Sequence, residues 1–207
     1  MVAVITSNNR AKYREQLNQM HRDRKKVFVD RWKWSVPVVD GQYEIDQFDT
    51  DDAVYLLGLD RLTHTHLSSV RLLPTTRPYL LGSLFDELCE EAPPESDDTW
   101  EITRYCEAPE WPKPSARAAG DKISIALVEF ALLHGISRYV CVTHAAMLSQ
   151  VLAEGWECEP LGLPKEINGE SLMAIAMKVS TATLQLLRQR YGERYPVIEL
   201  EARAEAA

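Results

Sequence analysis

Apolar positions at Tyr13, Leu17, Met20, Val27 and Phe28, set among helix-forming polar residues, predict one or two helices across residues 9–29. Three β-rich runs follow at 53–60, 66–74 and 100–108, separated by Asp/Thr and Pro/Glu/Ser punctuation, and they read as neighbours in an antiparallel sheet. Between the second and third, an amphipathic helix is expected from Tyr79 to Glu91, stopped by Pro93 and Pro94. Ile123, Leu127, Phe130 and Ala131 then fall on one face of a helix that starts near Gly120 and ends at Gly135. A strand over 138–143 leads into a helix closed by Gly155. A hairpin turns at Asn168-Gly169, and a last helix covers 181–192 before an Ala/Glu tail expected to fray over 196–207. With roughly seven strands and five helices, the fold class is α/β. The expected architecture is one three-layer sandwich over residues 1–207, with a mixed, largely antiparallel sheet and a basic helical flap over 1–35.

At 207 residues with 45% apolar content, the chain can bury a sizeable core. Cys89, Cys106, Cys141 and Cys158 form no CxxC pair, so reduced core thiols are expected. The start "MVAVITSNNR" has neither a basic nor an apolar leader region, and no apolar run reaches membrane-spanning length, which predicts a cytoplasmic protein with no membrane role. A net charge of −8 argues against nucleic acid as a partner. The charge is unevenly placed: residues 1–33 carry nine Lys/Arg against three acids, and residues 34–60 carry acids only.

That acidic stretch, "EIDQFDTDDAVYLLG", could be a hard-cation site, a site for an organic cation, or a solvated loop. It lacks the central Gly and terminal Glu of a calcium loop. An organic cation would want aromatic faces beside carboxylates, and Phe28, Trp32 and Trp34 lie just upstream.

The ordered positions Arg24, Phe28 and Trp34, then Asp46 and Asp49, then Ser69 and Arg71, then Glu101 and Arg104, resemble the signature of acyl-homoserine-lactone synthases. The strings "EIDQFDTDDAVYLLG" and "PLGLPKEING" are similar to the forms found in one alphaproteobacterial branch of that family, and the likeness runs from about residue 10 to 180. The resemblance implies an acetyltransferase-like (GNAT) fold. It also implies a reaction that joins an acyl thioester to S-adenosylmethionine, releasing methylthioadenosine and an acyl-homoserine lactone used in quorum sensing. No cofactor or metal is implied, because S-adenosylmethionine and the acyl donor are both substrates.

By the same resemblance Glu101 is the catalytic base that frees the substrate amine. Arg71 and Arg104 would take the substrate carboxylate, with Asp46 and Asp49 making cationic or ordering contacts. Arg24 would bridge the flap to those acids, while Phe28 and Trp34 enclose the adenosyl or sulfonium portion. Thr143, at the end of its strand, and Met147, on the following helix, would line the acyl chain, beside Leu148 and Leu152. Strand alternation places Glu101 and Arg104 on opposite faces, so a shared site needs a bend or bulge near Ile102 and Thr103.

The acyl donor is open between acyl carrier protein and acyl-coenzyme A. The helix "LSQVLAEGW" has no cation for an acidic carrier, and the chain lacks the Gly-rich pyrophosphate loop of acetyltransferases. The basic N-terminal arm, or Arg188, Arg190 and Arg194, could serve either anionic donor. No GxGxG or GxSxG occurs, and His64 and His66, an HxH on one strand face without further ligands, read as surface histidines. Two alternatives stand beside the synthase: an N-acyltransferase acting on another amine, and a non-catalytic ligand-binding relative.

Overall fold

Alternating side chains along β-rich runs give each strand two faces to cover, and here helices from opposite ends of the chain cover them. The computed structural model describes residues 1–199; the remainder of the expected frayed tail, 200–207, lies outside the described residues. Elements run β1 Val2–Ile5, α1 Arg14–Arg24, a π-helical stretch Lys25–Arg31, β2 Val38–Val39, β3 Tyr43–Glu44, β4 Val54–Leu59 and β5 His66–Pro74. They continue with α2 Leu80–Leu84, β6 Thr99–Glu107, α3 Lys113–His134, β7 Arg138–His144, α4 Leu148–Ala153 and β8 Glu157–Pro160. β9 Lys165–Ile167, β10 Glu170–Lys178, α5 Thr181–Tyr191 and β11 Ile198–Glu199 complete the described chain.

The main sheet has the order β11-β1-β4-β5-β6-β7-β10-β8, with β9 added on β10. The pairs β1/β11 and β6/β7 are parallel and the others antiparallel, matching the expected mixed, mostly antiparallel sheet. On one face Leu56, Leu72, Tyr139 and Ile175 pack with Ile123, Val128 and Phe130 of α3 and Leu187 of α5. On the other, Tyr55, Leu57, Leu73, Val140 and Ala174 meet Met20 of α1, Phe48 and Leu81 of α2. Among the described residues no helix is long and apolar enough to cross a membrane.

Four local features depart from expectation. Val2–Ile5, inside the stretch read as helical, is a strand paired with β4, and Ile198–Glu199 of the expected tail pairs with it on the other side. Both are short apolar segments whose partners are remote in sequence. The helix expected over 79–91 is only Leu80–Leu84, followed by a single tight turn at Asp86–Leu88. α3 begins at Lys113 rather than near Gly120, because Pro114 in the first turn needs no amide partner there. The hairpin at Asn168-Gly169 forms as anticipated, with φ of 52° and 81°.

Candidate active site

The site lies on the α1 face of the sheet, where four segments each contribute charged side chains that the fold buries. Arg24 ends α1 and is 0% exposed, and Arg71 of β5 is 1% exposed. Arg104 belongs to β6, and Glu44, Asp46 and Asp49 come from the acidic stretch. These six groups close a ring in which each guanidinium sits between two carboxylates. Arg24 pairs with Glu44 and, through both terminal nitrogens, with Asp49 at 2.9 and 3.0 Å. Glu44 in turn accepts from Arg104 Nε at 3.0 Å, and Arg104 Nη2 donates to Asp46 at 2.6 Å. Arg71 grips Asp46 through two bonds of 2.6 and 3.0 Å and reaches Asp49 at 2.9 Å, which returns the circuit to Arg24.

Local geometry prepares the acids for this. Asp46 Oδ1 accepts the amide of Phe48 and Asp49 Oδ2 accepts the amide of Asp46, an Asx-type loop that turns both carboxylates inward. The Tyr55 hydroxyl donates to Asp49 at 2.8 Å, and Arg71 Nε donates to Thr103 at 3.0 Å. Burial alone would raise Asp49, but the Arg24 and Arg71 charges outweigh it and hold its carboxyl well below the usual range. Desolvation opposes the charge on Arg71 too, yet Asp49 and Asp46 leave its pKa raised. At Arg104 desolvation wins and lowers it. Of the cationic or ordering contacts open to Asp46 and Asp49, the ordering ones are seen: with Glu44 they are paired to guanidiniums and order the arginines rather than form an open anionic surface. The basic arm and the acidic stretch neutralise one another in the same way at the rim, where Arg10 bonds Asp51 at 3.2 Å.

Glu101 and Arg104 share this face because β6 bulges. Ser69 pairs with Cys106 and Arg71 with Thr103, so β6 spends one residue more than β5 over this interval. The anticipated bend near Ile102 and Thr103 falls instead at Arg104, whose φ of 55° is left-handed. Glu101 is 0% exposed and accepts the amides of Leu80 and Leu81 at 2.7 and 2.8 Å. These are donors of the first turn of α2 that have no partner within that helix. Burial raises its pKa to about 7, against the lowering effect of the Leu81 and Leu80 amides and of Arg71 and Arg104. A carboxyl titrating near neutrality is suited to move a proton to and from an amine.

The pairing of β6 with β7 covers only Thr99 to Glu101 opposite Arg138 to Val140. Beyond Glu101 the two strands run on, each held by its other neighbour, and the sheet splits beside the carboxylate. Phe28 and Trp34 lie nearby: their rings stack at 5.0 Å and 11°, and Arg104 sits 5.7 Å over the Phe28 centroid. The widened π-helical turn at Lys25–Arg31 and the left-handed Lys33 bring these rings onto one side.

Of the sequence-derived residues, Arg24, Phe28, Trp34, Asp46, Asp49, Arg71, Arg104 and Glu101 are thus contiguous. Thr143 and Met147 are not part of that group: Thr143 pairs with Met173 and shares the α3 face, beyond the split, and Met147 is 40% exposed. Sequence reading missed Glu44 as a ring member, along with Thr103 and Tyr55. Glu44 stood in the acidic stretch, but nothing in its spacing distinguished it from exposed Asp51 and Asp52. The HxH pair also dissolves: His64 sits in a turn with φ of 54°, while His66 is 1% exposed and bonds Asp23 at 2.8 Å.

A split mixed sheet with a buried near-neutral carboxylate at the fork defines an acyltransferase-like sandwich. A putative N-acetyltransferase from Lactobacillus plantarum shares that fold, with a TM-score of 0.55 at 16% identity over 86% of this chain and 99% of its own. The autoinducer synthase family model matches residues 8–187, and the chain belongs to that family. An acyl-homoserine-lactone synthase of Ralstonia solanacearum is 34% identical over 169 residues, 79% of this chain and 82% of the relative. The isovaleryl-homoserine lactone synthase of Bradyrhizobium diazoefficiens is 30% identical over 195 residues, 93% and 86% respectively. Among solved structures, the coenzyme A-dependent acyl-homoserine lactone synthase BjaI, with S-adenosylmethionine and isopentyl-CoA, superposes with a TM-score of 0.88 at 28% identity, covering 96% of this chain and 92% of that one.

Proposed function

We propose that this protein is an acyl-homoserine-lactone synthase that acylates the amine of S-adenosylmethionine from an acyl thioester and closes the lactone. The observation that carries the reading is the placement of Glu101 at the fork of β6 and β7, beside a closed Arg/carboxylate ring, in a chain of this family. Glu101 takes a proton from the substrate ammonium, directly or through a water. The free amine then attacks the thioester carbonyl, the C–N bond forms, and the donor thiol leaves. In the second step the substrate carboxylate attacks its own γ-carbon. The bond to sulfur breaks with its electron pair on sulfur, so the sulfonium departs as neutral methylthioadenosine.

Arg71 has its fork committed to Asp46, Asp49 and Thr103, which shifts the carboxylate-binding role toward Arg104. Arg104 is the most exposed of the three, its side chain 7% accessible. Asp46, Asp49 and Glu44 fix the arginines, and Arg24 ties α1 to the ring. Thr143 and Met147 border the acyl chain on the far side of the split.

Acyl-coenzyme A is the donor we favour over acyl carrier protein. α4 carries no Lys or Arg for an acidic carrier to meet. The cations of α5 are engaged, Arg188 with Glu129 and Arg190 with the Ala153 carbonyl. Both proposed substrates are intracellular metabolites, which supports a cytoplasmic location. Purified protein supplied with S-adenosylmethionine and a panel of acyl-CoA and acyl-carrier thioesters should release methylthioadenosine and a lactone identifiable by mass. Well-folded protein that releases none with any donor refutes the function, and faster turnover with the carrier-bound thioester refutes the donor assignment.

A further inference from the structure

Phe28 cannot offer a ring face to a ligand as the protein stands. It is 1% exposed, stacked on Trp34 on one side, with Arg104 over its ring and Trp32 tilted against it at 5.4 Å. The aromatic surface left open belongs to Trp34, half-buried, and to Trp32, 48% exposed. Trp32 lies 5.2 Å from Trp34 at 58°, so the two indoles meet at an angle and form a corner rather than a stack. Its backbone is not free to wander: the Trp32 amide closes the π-helical stretch on the Val27 carbonyl at 3.0 Å, and the Trp34 amide bonds the Phe28 carbonyl at 2.8 Å. A large apolar ring held rigidly and left half open is costly to expose to water unless something covers it.

The polarity of the site says what covers it. Its inner end holds the guanidiniums and Glu101, which suit the carboxylate and amine of an aminoacyl sulfonium. From Arg104 the ring contacts run through Phe28 to the exposed Trp32, so a substrate so oriented carries its other end, a flat nucleobase, toward Trp32. We infer that Trp32 is a substrate-contact residue whose indole stacks on the adenine of S-adenosylmethionine, with Trp34 as the second wall and Phe28 as the packed support beneath them. This rests on the function proposed above.

The test uses the full-length chain with W32A and W32F, measuring KM for S-adenosylmethionine, kcat, and the Kd of methylthioadenosine, which keeps the adenine but carries no charge. Stacking of one base on an aromatic ring predicts about a tenfold rise in both KM and Kd for W32A, with kcat unchanged and most of the loss recovered in W32F. Thermal midpoints of the three proteins separate a folding defect from a lost contact. Wild-type affinities in W32A overturn the inference. Weakened binding of S-adenosylmethionine with unchanged methylthioadenosine affinity also overturns it, because it would put the ring on the sulfonium. Wild-type protein without turnover would instead defeat the proposed function, and methylthioadenosine binding would still judge Trp32.

Discussion

Replacing Glu101 by glutamine keeps the side chain's shape while removing its charge and its basicity. Two amides donate to the carboxylate, from Leu80 and Leu81 at 2.7 and 2.8 Å. Glutamine presents one oxygen and one NH2 group to them, so one amide meets a donor and loses its bond, at a cost of about 1–3 kcal/mol. Against this, the folded wild type binds the Glu101 proton more tightly than the unfolded chain, with its pKa raised from 4.5 to about 7. Raised folded pKa means that the neutral form is the one the fold favours. Stability from this group is therefore greatest below 4.5, falls as pH rises toward 7, and levels off above. The full change is about 3 kcal/mol at 1.36 kcal/mol per pKa unit. Glutamine does not titrate, so the stability difference between the two proteins should shift toward E101Q by about 3 kcal/mol across that window, read by urea denaturation at several pH values. Turnover, followed as methylthioadenosine release with a saturating acyl thioester, should fall by roughly 10²–10⁴-fold. Wild-type kcat/KM for S-adenosylmethionine should rise with pH to a plateau, with its midpoint near 7. Equal turnover in E101Q would refute the base assignment, and a stability difference that ignores pH would refute the burial argument behind it.

Glu44→Gln breaks the ring between Arg24 and Arg104 and leaves buried guanidinium charge short of an anion, so stability should drop by about 3–5 kcal/mol in chemical denaturation; a loss under about 1 kcal/mol would mean that the ring is not cooperative. Asp51→Asn, by contrast, removes only the rim contact to Arg10, whose aspartate side chain is 90% exposed, and should change stability by less than about 1 kcal/mol in the same assay. Arg104→Lys loses the planar fork that spans Glu44 and Asp46 and should raise KM for S-adenosylmethionine by at least about tenfold; an unchanged KM would remove Arg104 from carboxylate binding.

Much of this protein is legible along the chain because local periodicity and punctuation carry it. The strands at 54–59, 66–74 and 99–107 follow from β-rich runs between polar breaks. The end of α3 at Gly135 and of α5 at Gly192, each with φ of 71°, follows from glycine's freedom in the left-handed region. Eight of the nine signature positions, all but Ser69, named the residues that converge, since ordered spacing survives even where the contacts are remote. Tertiary structure decided the rest. Whether Val2–Ile5 is a strand depends on β4 and β11 lying beside it, and partners 50 and more residues away leave no local trace. The bulge that turns Arg104 toward Glu101 is a mismatch between two strands, invisible in either alone. The acidic segment looked uncompensated only because its counter-charges, Arg24, Arg71 and Arg104, arrive from three other elements. Pairing across space, rather than composition, made Glu44 a buried member of the ring and left Asp52 in solvent.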